Sequence, residues 1–186
     1  MEGTSSTRTT LNLEEVRQRL ADMPAALRAL TATLPIEALV YREASDSWTA
    51  IEVLGHLADG ELHDWIPRAR IILSDDAADK RFTPFVRENG LARYQAQAVA
   101  AALDDFEALR QDSLKAFDAF NIQSSDLRRQ GIHPEFGPVT LEQLLACWVT
   151  HDYAHLAQIS RILTRHYGER VGPWTAYFNL LKDRPR

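Results

Sequence analysis

Seven apolar residues, Leu13, Val16, Leu20, Met23, Leu27, Leu30 and Leu34, recur at alternating steps of three and four. At 3.6 residues per turn such a set forms one stripe, and a stripe of this kind is buried by packing against other helices. The pattern predicts a first helix that belongs to a bundle. Pro24 lies inside the stripe, where it removes a backbone donor and crowds the preceding turn. A kink, or a restart capped by Asp22, is expected there, with Pro35 closing the helix.

The same period returns three more times. Thr49-Ala50-Ile51-Glu52 reads as a capping box opening a second helix that runs to Leu73. Residues 74–89 are charged, contain Pro84 and show no period, so they read as a long connection of the kind that can join parallel neighbours. From about Gly90 to Phe120, Leu91, Tyr94, Ala98, Ala101, Phe106, Leu109, Leu114 and Phe117 follow helical spacing. A turn-rich stretch, Ile132 to Pro138, precedes Thr140-Leu141-Glu142-Gln143, a second capping box. It opens a fourth helix that reaches Tyr167 before Gly168, and a short piece follows around Trp174 to Leu181. No strand-like alternation extends beyond a few residues. The fold class expected is therefore all-α: a four-helix bundle with a long crossover between helices 2 and 3.

Composition narrows the setting. The 186 residues are 45% hydrophobic and 25% charged with 8 Gly and 8 Pro, so the chain is expected to form one globular domain over 1–186, with 1–10 as a flexible tail. Its apolar runs are far shorter than the roughly 20 residues a membrane helix needs. The first residues have neither the basic region nor the apolar core of a secretory signal, and the single Cys147 excludes an intramolecular disulfide or a multi-cysteine zinc site. A cytoplasmic location is expected. The net charge of -5, from 26 acidic and 21 basic residues, opposes binding to nucleic acid.

Chemistry concentrates in the histidines. Leu144, Trp148, His151, His155, Ile159 and Ile162 share one stripe of the fourth helix, so two imidazoles take positions where a bundle ordinarily has leucine. One turn apart, they have the spacing at which two helical histidines chelate one cation, although core histidines satisfied by hydrogen bonds share it. Asp152 is open to two roles, orienting an imidazole or forming a buried salt bridge with an arginine. On the second helix His56, Asp59 and His63 lie on the polar face with Glu52 and Arg70, opposite Ile51, Leu54, Ala58, Leu62 and Trp65, so periodicity alone points His56 to solvent. Glu61 falls on the apolar side and implies a buried ion pair or support of the site. Cys147, one turn before His151, reads as a small core residue or as a neighbour of the site.

Two segments, Ser47-Trp48-Thr49-Ala50-Ile51-Glu52-Val53-Leu54-Gly55-His56-Leu57-Ala58-Asp59-Gly60-Glu61 and Thr150-His151-Asp152-Tyr153-Ala154-His155-Leu156-Ala157-Gln158-Ile159, resemble the two signatures of the DinB/YfiT-like superfamily. The turn from His133-Pro134 to Gly137-Pro138 extends the resemblance across most of the chain. It implies a four-helix bundle in which His56, His151 and His155 bind a divalent transition metal such as zinc, nickel, manganese or iron. It also turns the polar face of helix 2 into the lining of a groove and implies a homodimer, while His63, which the family pattern does not require, reads as a surface residue or as a proton carrier in the groove. Relatives include thiol S-transferases, thiol-dependent isomerases and hydrolases. The expectation is a metal-dependent enzyme acting on a small electrophile, with a low-molecular-weight thiol as partner in an S-transferase reaction; the other reading is a non-enzymatic metal-containing module in a stress response or in ligand binding.

Overall fold

The computed structural model describes residues 10–75 and 79–182; the expected N-terminal tail falls mostly on residues 1–9, outside that set. In chain order the elements are α1 (Leu13–Thr31), α2 (Ile36–Leu39), α3 (Ala50–His63), α4 (Trp65–Leu73), α5 (Val99–Ala119), β1 (Gln130–His133), β2 (Gly137–Thr140), α6 (Leu141–Gly168) and α7 (Asn179–Lys182). The fold is an all-α four-helix bundle of α1, α3 with α4, α5 and α6, with the long crossover before α5. No helix among the described residues is long and apolar enough to cross a membrane.

Helix directions follow from the contacts. Arg17 pairs with Asp118 and Arg28 with Asp104, so α1 and α5 are antiparallel. His56 meets His151 while Glu61 meets Trp148, so α3 and α6 are antiparallel too. Leu11, just before α1 starts, bonds Glu142 in the first turn of α6, and α1 runs alongside α6 in the same direction. The crossover therefore joins parallel neighbours, α3 with α4 and α5, as a long connection permits.

Both expected capping boxes are present, Thr49 with Glu52 and Thr140 with Gln143. Four expectations need correction. The second helix breaks at Asp64, whose φ of -115° and ψ of -71° separate α3 from α4. Pro67 explains the break, because its ring crowds the carbonyl of His63 and it has no N–H to donate. The third helix begins at Val99 rather than Gly90: residues 90–95 are turn and irregular chain, and Gly90 is pressed backbone to backbone on Gly55 of α3, where a Cβ on either residue would collide. The turn-rich stretch is a β-hairpin, with Gln130 opposite Thr140 and His133 opposite Gly137, too short for alternation to reveal.

At Pro24 it is the restart alone that needs correction. α1 passes through it unbroken and is capped by Asn12, with no restart at Asp22. The missing N–H at Pro24 leaves the carbonyl of Leu20 without its helical donor, and Arg110 Nη1 of α5 fills the place at 2.8 Å. Arg110 also donates to Asp152 of α6 at 2.7 and 3.1 Å and to Glu61 of α3 at 2.8 Å. All three charged side chains are almost fully buried. Asp152 and Glu61 thus form a buried ion pair with an arginine, one of the two readings open for each.

This cluster divides the core into two halves. Met23, Leu27, the apolar residues of α3 up to Ala58, Phe106 and Ile159 pack on one side. Val16, Leu20, Trp65, Ile72, Leu114 and Trp148 pack on the other. Burial alone would pull the Arg110 guanidinium down, but Asp152 and Glu61 outweigh it and raise its proton affinity. Arg110→Ala should lower stability by about 3–5 kcal/mol, because two buried carboxylates lose their cation, whereas replacing all three by apolar residues of similar volume should recover most of the loss. Urea unfolding midpoints of the two variants check this, and an Arg110→Ala midpoint equal to wild type contradicts it.

Candidate metal centre

His56 lies at the middle of α3, and His151 and His155 one turn apart on α6 face it. The three Nε2 atoms converge: His56 to His151 is 3.0 Å and His155 to His151 is 3.1 Å. One ligand atom from each residue lies within 4.8 Å of the other two. His56 is buried, at 2% exposure, which corrects the outward placement its helical periodicity suggested. The loop after α4 buries it, for Gly90 lies against Gly55 and the Arg87 carbonyl accepts a hydrogen bond from His56 Nδ1 at 3.1 Å.

Hydrogen bonding determines the tautomers. A carbonyl only accepts, so His56 carries its proton on Nδ1, and Nε2 presents a lone pair to the cluster. His155 Nδ1 likewise faces Gln158 Oε1 at 2.8 Å, and its Nε2 also presents a lone pair. His151 Nδ1 is buried without a partner. With one proton, His151 either leaves Nδ1 an unpaired buried donor while three lone pairs converge, or bonds through Nε2 and leaves Nδ1 an unpaired acceptor. A divalent cation among the three Nε2 atoms removes the conflict among the lone pairs, so the donor set fits such an ion.

The environment keeps these rings neutral. Burial, then the neighbouring His155, pulls His56 down to about 4. Burial, then His155 and His56, pulls His151 down to about 2, and burial lowers His155 as well. Neutral imidazole is the form that ligates a metal, so at neutral pH few protons compete for the site.

Residues 13–159 match the DinB superfamily. The chain belongs to the DinB superfamily. A relative from Halalkalibacterium halodurans, named as a candidate metal-dependent hydrolase, is 23% identical over 80% of this chain and 84% of its own. One from Oceanobacillus iheyensis with the same kind of name is 23% identical over 84% of this chain and 89% of its own. The solved structure of YfiT from Bacillus subtilis, described as a probable metal-dependent hydrolase with an unusual four-helix bundle topology, superposes with a TM-score of 0.71 at 19% identity. It covers 90% of this chain and 94% of that one.

In this DinB chain the cluster opens into a pocket of about 500 Å³, lined by His56, His151 and His155 together with Trp65, Arg68, Phe82, Phe85, Arg87, Phe136 and Cys147. Trp48 packs against His56 at 4.8 Å between ring centroids and stacks near His155 at 6.2 Å. Trp65 meets His151 edge-on at 5.1 Å and stacks on Trp148, which bonds Glu61, so the ion cluster braces the site through aromatic rings. Cys147 is exposed in the pocket and is not a core residue. Partial burial, then Asp64, raises its thiol, so it stays protonated. His63 is exposed and stands 3.7 Å from Asp59, away from the cluster. Arg87 and Phe85 escaped the sequence reading because they lie in the aperiodic crossover, while Arg68, on α4, carries no motif. A larger cavity of about 670 Å³ beside the C-terminal segment is lined by Tyr41, Arg42, Glu43 and Arg165 and contains none of the three histidines.

The folded metal-free chain binds fewer protons at these histidines than the unfolded chain does. Their contribution to stability is complete above the ordinary value of 6.5 and falls as pH drops through it toward 4. The expected loss approaches roughly 1 kcal/mol per pH unit for each fully depressed ring. Urea midpoints of metal-free protein between pH 7 and pH 5 should decline, and less steeply in His151→Leu; equal slopes in the two proteins contradict the burial argument.

Proposed function

We infer that this DinB protein is a metal-dependent hydrolase of small molecules, with His56, His151 and His155 as the ligands of a divalent cation. The observation that carries the reading is the convergence of three Nε2 lone pairs, two of them held by hydrogen bonds behind the rings. The names of the relatives point the same way. Three neutral imidazoles leave coordination positions open, which suits a catalytic ion better than a structural one. When bound, such an ion lowers the pKa of a coordinated water to near neutrality and polarises a carbonyl or phosphoryl oxygen.

The chain's own residues supply the rest. The Arg87 carbonyl and Gln158 hold His56 and His155 in the required tautomer, and loss of such outer partners typically costs about 10–100-fold in metal affinity or activity. Phe82, Phe85, Phe136 and Leu144 give the pocket apolar walls, which thin the water around the site and strengthen its electrostatics. The thiol transfer implied by the family resemblance uses the same activation with a thiol in place of water. The hydrolase names favour water as the nucleophile, and product analysis with and without added thiol separates the two.

His155→Ala should lose most metal uptake while remaining helical. Metal stoichiometry by mass spectrometry and far-ultraviolet circular dichroism read the two effects, and undiminished stoichiometry removes His155 from the ligand set. Turnover of a nitrophenyl ester should depend on added metal in wild type and be abolished in the variant. Equal rates with chelator and with metal would falsify the hydrolase reading.

A further inference from the structure

Among the described residues, Arg87 is the arginine of the histidine pocket with no carboxylate opposite it. Arg68, which lines the same pocket, is held by Asp64 at 2.5 Å and lies over the Phe82 ring. Arg110, beneath the site, is closed between Glu61 and Asp152. The Arg87 guanidinium stands 5.5 Å from the centre of the Trp48 ring, and among the described residues no acid pairs with it. Glu88, its chain neighbour, makes no ion pair with it.

Two contacts hold Arg87 at the site. Its backbone carbonyl accepts the His56 proton, and its side chain lies on Trp48, the ring that also packs against His56 and His155. Its charge acts on the cluster, disfavouring protonation of His56, His151 and His155 alike. The pocket thus has mostly apolar walls, the three neutral rings of the cluster and, among the described residues, one cation with no acid paired to it. A planar guanidinium stacked on an aromatic face presents its edge donors in the fork that matches a carboxylate or phosphate.

We propose that Arg87 binds the anionic group of the substrate, a carboxylate or a phosphate ester, while a flat apolar body lies against Phe82, Phe85 and Phe136 beside the histidines. The volume of about 500 Å³ suits a ligand of that size. The proposal rests on the preceding section only in taking this pocket as the substrate site. It narrows the substrate class to anions, and it makes Arg87 a specificity-determining residue rather than a metal ligand.

Calorimetric titration of the metal-free full-length chain with benzoate, phenyl phosphate and neutral benzamide tests it. At least one anion should bind roughly tenfold or more tightly than benzamide, and the preference should weaken with salt. Arg87→Gln should erase it, and Arg87→Lys should keep part of it. Arg87 is exposed, so both variants should match wild type in circular dichroism and in metal stoichiometry. Equal binding of all three probes, no saturable binding of either anion, or an unchanged preference in Arg87→Gln each overturns the proposal. Metal stoichiometry measured in parallel separates the two readings. A chain that takes up no metal yet prefers anions loses the hydrolase reading alone, and one that takes up metal without an anion preference loses this proposal alone.

Discussion

The buried guanidinium of Arg110 is the constraint on which the rest of the bundle depends. It binds a carbonyl of α1, a carboxylate of α3 and a carboxylate of α6 from its own place on α5, so one side chain ties all four helical units at one level. A buried cation with two buried anions tolerates little sliding, because a displaced charge loses its partner where water cannot replace it. The helix register is thereby set between two apolar half-cores that would tolerate small shifts by themselves. The Leu20 carbonyl freed by Pro24 supplies one of the acceptors, so a proline that sequence rules treat as a breaker becomes part of the joint.

The histidine cluster inherits that register. The hydrogen bond from Trp148 to Glu61 holds α3 against α6 in the antiparallel register that also brings His56 opposite His151. Trp148 and Trp65 extend the brace to His151 by stacking. The loop after α4 completes the enclosure, and its closeness depends on glycine at 55 and 90, where two backbones touch. That contact delivers the Arg87 carbonyl to His56 and directs the free nitrogen inward.

The result is a site whose donors, protonation states and walls are arranged together by the fold. The imidazoles are neutral, their lone pairs converge, and the pocket above them has mostly apolar walls, with Arg68 paired to Asp64 and Arg87 left to act on a ligand. Burying three polar rings with their lone pairs turned on one another costs folding energy. The chain meets that cost through the ion cluster and the two half-cores.

The sequence by itself determined the helices of the bundle, because periodicity of three and four and the capping boxes at Thr49 and Thr140 are local signals. It also determined that His151 and His155 share a face, since that follows from one helix alone. Tertiary structure decided what depends on distant partners. It chose whether Pro24 breaks α1, where α5 begins, that His56 is buried and not exposed, and that Arg87 reaches the pocket. The helical wheel failed at His56 because it ranks faces by polarity, whereas burial there comes from a loop more than 30 residues away whose hydrogen bond has no counterpart in local spacing.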